Sequence, residues 1–157
     1  MSRPRSGTFT AIGATATSSR FELLERVGMG GMAEIHRARL LGNEGFSKVV
    51  ALKVLRPELA GDRRHVERFG MEARIGAVLE HPNIVAVFDF VELDGRPTIV
   101  MEHVKGTDLL RLLAACTQLR RRVPPELCVY IAIEIAHALA YAHAVPAATA
   151  GIPGAAQ

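Results

Sequence analysis

The stretch Val27-Gly-Met-Gly-Gly-Met-Ala-Glu-Ile35 decides the fold. Its glycines at 28, 30 and 31 stand between Phe21-Glu-Leu-Leu-Glu-Arg-Val27 and Ala33-Glu-Ile-His-Arg-Ala-Arg-Leu40. The second of these alternates apolar and polar residues with the period of a strand, so the glycines close a hairpin and do not open a helix. A dinucleotide-binding fold needs a helix after its glycines, and the Gly-Lys-Ser/Thr ending of a Walker loop is missing. What remains is a glycine turn between two strands, where backbone amides can approach phosphate oxygens without side-chain obstruction.

Working outward, a loop rich in Gly and Asn leads to Val49-Val-Ala-Leu-Lys-Val-Leu55, the third strand of an antiparallel meander. Gly61 and Asp62 precede a helix whose apolar positions are Phe69, Ile75, Gly76 and Leu79, with Asp62 as its N-cap and Pro82 beyond its end. Two further strands are expected at Ile84–Leu93 and Pro97–His103, joined by Asp94-Gly95. After Gly106 the character becomes helical, over Asp108–Leu119 and again from Pro125 to His143.

Lys53 is one of only three lysines and sits inside an apolar run. An ammonium there calls for an anion, although a lysine reaching out from an edge strand would satisfy the same pattern. Glu72 supplies a candidate: Phe69, Ile75, Gly76 and Leu79 at helical spacing put it on the apolar face, which Glu67 and Glu80 occupy less clearly. Each charge left unpaired on such a face would be costly, so the two are expected to meet as an ion pair. Ala51, on the face of Lys53, is small enough to let a flat base pack beside it.

Gly-x-Gly-x-x-Ala-x-Ile, Ala51-Leu-Lys53, Glu72, His81-Pro-Asn-Ile-Val85 and Val100-Met-Glu-His-Val104, in this order, resemble the N-lobe and hinge of a protein kinase. The loop version is most similar to bacterial, eukaryotic-like Ser/Thr kinases, and the resemblance covers about residues 20–143. It implies an α+β fold with a five-stranded antiparallel sheet plus one helix (20–102), a hinge (103–107) and part of a C-lobe with two helices (108–144). It also implies ATP as ligand and phosphoryl transfer to protein Ser/Thr in the complete enzyme.

Carried over residue by residue, the resemblance makes Lys53 the holder of the α- and β-phosphates and Glu72 the residue that orients it. The loop Gly28, Met29, Gly30, Gly31, Met32, Ala33 and Glu34 would lie over the phosphates, with Val27, Ile35 and Ala51 covering the adenine. Met101 takes the gatekeeper position, Glu102 and Val104 offer hinge backbone groups, and Asp108 reaches the ribose. Ala33 replaces the third glycine of the family pattern, and its methyl could restrict approach to the triphosphate.

The larger departure lies after His143, where the family continues into its catalytic loop and this sequence holds no His-Arg-Asp. Asp89-Phe90-Val91 precedes the hinge and reads as strand, and Pro124-Pro125-Glu126 is a helix start. The expectation is a kinase cut before its catalytic Asp, its Mg²⁺ ligands and its activation segment, and inactive alone. The alternative is a pseudokinase-like module that binds nucleotide or a protein without catalysis.

Composition agrees with a soluble domain: of 157 residues, 49% are hydrophobic and 22% charged, with a net charge of +3. That charge and 5% aromatic content argue against a nucleic-acid partner. Cys116 and Cys128 read as reduced thiols, the six histidines form no pair at metal-ligand spacing, and the expected localisation is cytoplasmic. Residues 1–19 lack the continuous apolar core of a signal peptide and, like 145–157, are expected to be disordered. The apolar run from Leu127 to Val145, broken by Glu134, His137 and His143, is expected to be a buried helix and not a membrane span.

Overall fold

A computed structural model describes residues 20–146, so the disorder expected at 1–19 and over most of 145–157 lies outside the described residues. The chain forms β1 (Phe21–Met29), β2 (Ala33–Leu41), β3 (Ser47–Leu55), α1 (Pro57–Ala60), α2 (Arg63–Val78), β4 (Val87–Leu93), β5 (Arg96–Glu102), α3 (Leu109–Gln118) and α4 (Pro125–Ala144). The strands make one antiparallel sheet in the order β1-β2-β3-β5-β4, which is the five-stranded architecture expected. Asp94 and Gly95 both have positive φ, 50° and 75°, as a two-residue hairpin turn between right-twisted strands demands.

Alternation along β3 divides the core. Val50, Leu52 and Val54 join Ala38, Leu93 and Val100 on one face of the sheet. Leu55, with Ala33 and Ile99, joins Phe69 and Ala73 of α2 on the other. Phe69 is fully buried, and its ring meets Phe90 at a centroid distance of 6.2 Å. The inward stripe of α2 is therefore Phe69, Ala73 and Gly76, whereas Ile75, expected on that stripe, is exposed. Gly76 is needed for the contact itself: a Cβ there would lie 2.6 Å from Val87 Cγ2.

Asp62 caps α2 as expected, its Oδ1 accepting from Arg64 N at 2.9 Å. That backbone N–H, and after it the His65 ring, hold the Asp62 carboxyl below its ordinary value. A depressed carboxyl pKa contributes stability above the unfolded value of 3.8, which is lost as pH falls through the lower folded value.

α3 starts from its own cap, with Asp108 Oδ1 accepting from Arg111 N at 2.7 Å. α4 contacts the loop after α2: the Tyr141 hydroxyl accepts from Glu80 N at 3.0 Å, Asn83 Nδ2 donates to Glu134 O at 3.2 Å, and the His81 and Tyr141 rings lie 5.2 Å apart. By length and composition alone α4 could cross a membrane. The expectation of a buried helix fails, because neither α3 nor α4 has a buried residue. Cys128 is exposed and Cys116 half-buried, and both are free thiols.

Leu110 at 77% in α3 and Tyr130 at 60% in α4 are among the most exposed apolar side chains of the two helices, and Leu119, just past the end of α3, is 69% exposed. Contiguous apolar surface of this kind drives association. The chain in dilute buffer is therefore expected to bind a hydrophobic dye and to self-associate. Size-exclusion chromatography with dye fluorescence checks this, and a monodisperse, dye-silent monomer would contradict it.

Candidate functional site

The glycine turn is held at both ends. Gly30 N donates to Ala33 O at 2.9 Å, and Arg56 N, beyond β3, donates to Met32 O at 3.0 Å. Neither Gly30 nor Gly31 has positive φ. A Cβ at Gly31 would meet no atom within 4 Å, and one at Gly30 would meet only Ala33 O at 3.7 Å. The fold does not require glycine at these positions, and the turn keeps bare backbone with open space beside it.

Ala33 is 4% exposed, and its methyl packs with Leu55, Phe69, Ala73 and Ile99. The methyl that sequence reasoning treated as an obstruction is part of the core. Glu34 points to the opposite face from Ile35, and its carboxylate lies 3.1 Å from His36 Nε2 and 3.7 Å from Arg26 Nη1.

Lys53 pairs across the sheet with Ile35 on β2 and Ile99 on β5. Its Nζ donates to Glu72 Oε1 of α2 and stands 5.6 Å from the centroid of the Phe69 ring. The ion pair expected from strand and helix faces is therefore formed. It is not buried, however: the Lys53 side chain is 24% exposed and that of Glu72 54%. Glu72 stands at the margin of the apolar stripe, where water shares the solvation of its carboxylate.

Beside this pair opens a cleft of about 480 Å³. Val27, Ile35 and Ala51 line it from the sheet, Met101, Glu102 and Val104 from the end of β5 and the segment after it, and Asp108 from the cap of α3. Seven of the expected residues thus share one cavity. Gly28, Met29, Gly30, Gly31, Met32, Ala33, Glu34, Lys53 and Glu72 do not line it.

Sequence reasoning missed Glu25, Arg37, Val85, His103, Gly106 and Arg111, which also line the cleft. Glu25 and Arg37 could have been found, since each lies two residues along a strand from a lining residue and so shares its face. Arg37 Nε lies 3.0 Å from Glu25 Oε1 but is misaligned for a hydrogen bond, so the contact is an ion pair only. Val85 comes from an irregular loop whose periodicity carries no signal. Gly106, at φ 137°, adopts a backbone that other residues rarely reach.

Chemically, the cleft combines the apolar side chains of Val27, Ile35, Ala51, Met101 and Val104 with the charged Glu25, Arg37, Glu102, Asp108 and Arg111, and the Lys53 ammonium stands two residues along the strand from Ala51. That arrangement suits a flat heteroaromatic group joined to an anion.

Residues 21–146 match the family model described as protein kinase domain. The chain is 37% identical over 123 residues to the tyrosine-protein kinase MasK of Myxococcus xanthus, covering 78% of this chain and 19% of that protein. It is likewise 37% identical over 128 residues to the serine/threonine-protein kinase PrkC of Bacillus subtilis, covering 80% of this chain and 18% of the relative. The crystal structure of the Mycobacterium tuberculosis PknI kinase domain superposes with a TM-score of 0.63 at 32% identity, over 85% of this chain and 52% of that one. The chain thus spans about a fifth of the length of these curated relatives and about half of the solved domain.

Proposed function

The chain belongs to the protein kinase family, and on that premise we propose that it is the ATP-binding part of a Ser/Thr protein kinase. Residues 20–102 act as its N-lobe, 103–107 as its hinge and 108–144 as the beginning of its C-lobe. The observation that carries the reading is the Lys53–Glu72 ion pair, with Lys53 in register with Ile35, a residue that lines the cleft and follows the glycine turn.

The residues fit ATP. Val27, Ile35 and Ala51 would cover the adenine from above, with Met101 as gatekeeper and the backbone of Glu102 and Val104 at its edge. Lys53 would hold the α- and β-phosphates, kept in place by Glu72, under the turn Gly28–Glu34. The Asp108 carboxylate already accepts from Arg111 N, and its remaining lone pairs would serve the ribose. The residues do not fit Mg²⁺: among the described residues no group of three acidic, His or Cys side chains could hold a metal. No step is therefore assigned to it. Protein Ser or Thr is the proposed acceptor, after PrkC, which is named a serine/threonine-protein kinase. Use of ATP puts this part of the protein in the cytoplasm.

Calorimetric titration tests the reading. With one wall of a two-walled site present, ATP is expected to bind more weakly than about 100 μM, with little Mg²⁺ dependence. Lys53→Met should weaken it further. Binding unaffected by Lys53→Met would sink the assignment, and tight, Mg²⁺-dependent binding would show that the site is more complete than proposed.

A further inference from the structure

Glu102, which lines the cleft, also lines a second groove of about 590 Å³ between the loop after α2 and the start of β4. Leu79, Ile84 and Phe88 make this groove apolar, Glu80 and Glu102 make it acidic, and no Lys or Arg lines it. Phe88 is 44% exposed, with Lys48 Nζ 3.9 Å from its ring centroid. Among the described residues neither carboxylate has an ion-pair partner. Two unpaired carboxylates beside exposed apolar surface suit a segment that is both basic and apolar.

The chain displays such a segment where α3 ends, at Leu119-Arg-Arg-Arg122. All four residues are exposed, and among the described residues none of the three arginines has an ion-pair partner. The turn is also rigid. Leu119 N donates to Ala115 O at 2.9 Å, Arg120 N to Thr117 O at 3.1 Å and Arg121 N to Cys116 O at 2.8 Å, and Arg120 takes the positive φ, 50°, of a closed helix end. Docking a turn already fixed in this way costs little conformational freedom.

Within one chain the turn stays away from the groove. α4 follows it from Pro125 and meets the loop after α2 through Glu134 and Tyr141. These lie nine and sixteen residues past Pro125, about 14 and 24 Å along the helix. The arginines are thus held at the far end of α4 from Glu80, and the groove is open to another molecule's turn.

We propose that the chain associates head to tail with a second copy of itself, the turn Leu119–Arg122 of one copy seated in the groove of the next. Leu119 packs against Leu79, Ile84 and Phe88, and the arginines pair with Glu80 and Glu102. Because turn and groove are different surfaces, the contact is heterologous and repeats from copy to copy, into a ring or an open chain. It also ties each copy to the strand that leads into the next copy's hinge.

Light scattering of the full 157-residue chain tests it. The parent should associate. Glu80→Arg/Glu102→Arg and Arg120→Glu/Arg121→Glu/Arg122→Glu should each weaken association by about tenfold or more, since either variant sets like charges face to face. Mixed in equal amounts, the two variants should associate again as the parent does, each copy bound to the other variant, a recovery that also shows both to be folded. Association untouched in either variant would overturn the proposal and place the apolar faces of α3 and α4 in contact instead. A mixture no more associated than its separate components would overturn it as well.

Discussion

Incubated with ATP, Mg²⁺ and a generic protein substrate, the 157-residue chain should leave the substrate unlabelled. Phosphoryl transfer asks little covalent chemistry of a protein and depends on positioning and on neutralising charge on the transferred group. The charged pair available here, Lys53 and Glu72, could hold phosphates already bound. Nothing in the 157 residues reads as the His-Arg-Asp loop whose Asp takes the acceptor's proton. An arginine finger alone is worth about 10³–10⁵ in the rate of phosphoryl transfer, so a chain without the base and the metal ligands should turn over below detection. Radiolabel transfer checks this. Labelling that requires Mg²⁺ and disappears in Lys53→Met would overturn it.

Phe69→Ala should be the most damaging single change to the fold. The ring is fully buried, joins α2 to Ala33, Leu55 and Ile99, and carries Phe90 on one side and the Lys53 ammonium at 5.6 Å. Truncating a buried Phe costs about 3–5 kcal/mol, a large part of the 5–15 kcal/mol that holds a typical domain together. The same change removes the surface on which Lys53 rests, so ATP affinity should fall with stability. Urea titration at low protein concentration, with Phe69→Leu as the milder control, measures the effect. A midpoint unmoved by Phe69→Ala would show that α2 does not depend on this anchor.

What the sequence made legible follows from which signals are periodic. Alternation in β2 and β3 located the hairpin and the third strand to within two residues, and Asp94-Gly95 fixed the last turn. α1 went unread because four residues are too few to show a helical period. β4 begins at Val87 and not at Ile84, and a register shift between Val87 and Asp89 disturbs the alternation there. The pairing of Lys53 with Glu72 was readable because each charge lay among apolar residues. How far the pair opens to solvent was not, since spacing along a helix gives an angle and says nothing of how deep the neighbouring strand lies. The exposure of α4 was equally hidden, because an apolar helix records what it can pack against and not whether that surface is covered.

The close approach of Gly76 to Val87 also sets how far α2 can be displaced and what each displacement costs. With helix and strand touching at that glycine, the helix is pinned near its C-terminal end and behaves as a pendulum. Glu72 hangs four residues from the pin and Arg63 thirteen, about 6 Å and 20 Å along the axis. A tilt of about 20° would move Glu72 by only about 2 Å and the start of the helix by about 7 Å. That short arc is enough to separate Glu72 from Lys53. The same tilt would draw Phe69, seven residues from the pin, about 4 Å from its buried seat, so the arc at the ion pair is open only to a push strong enough to lift that ring.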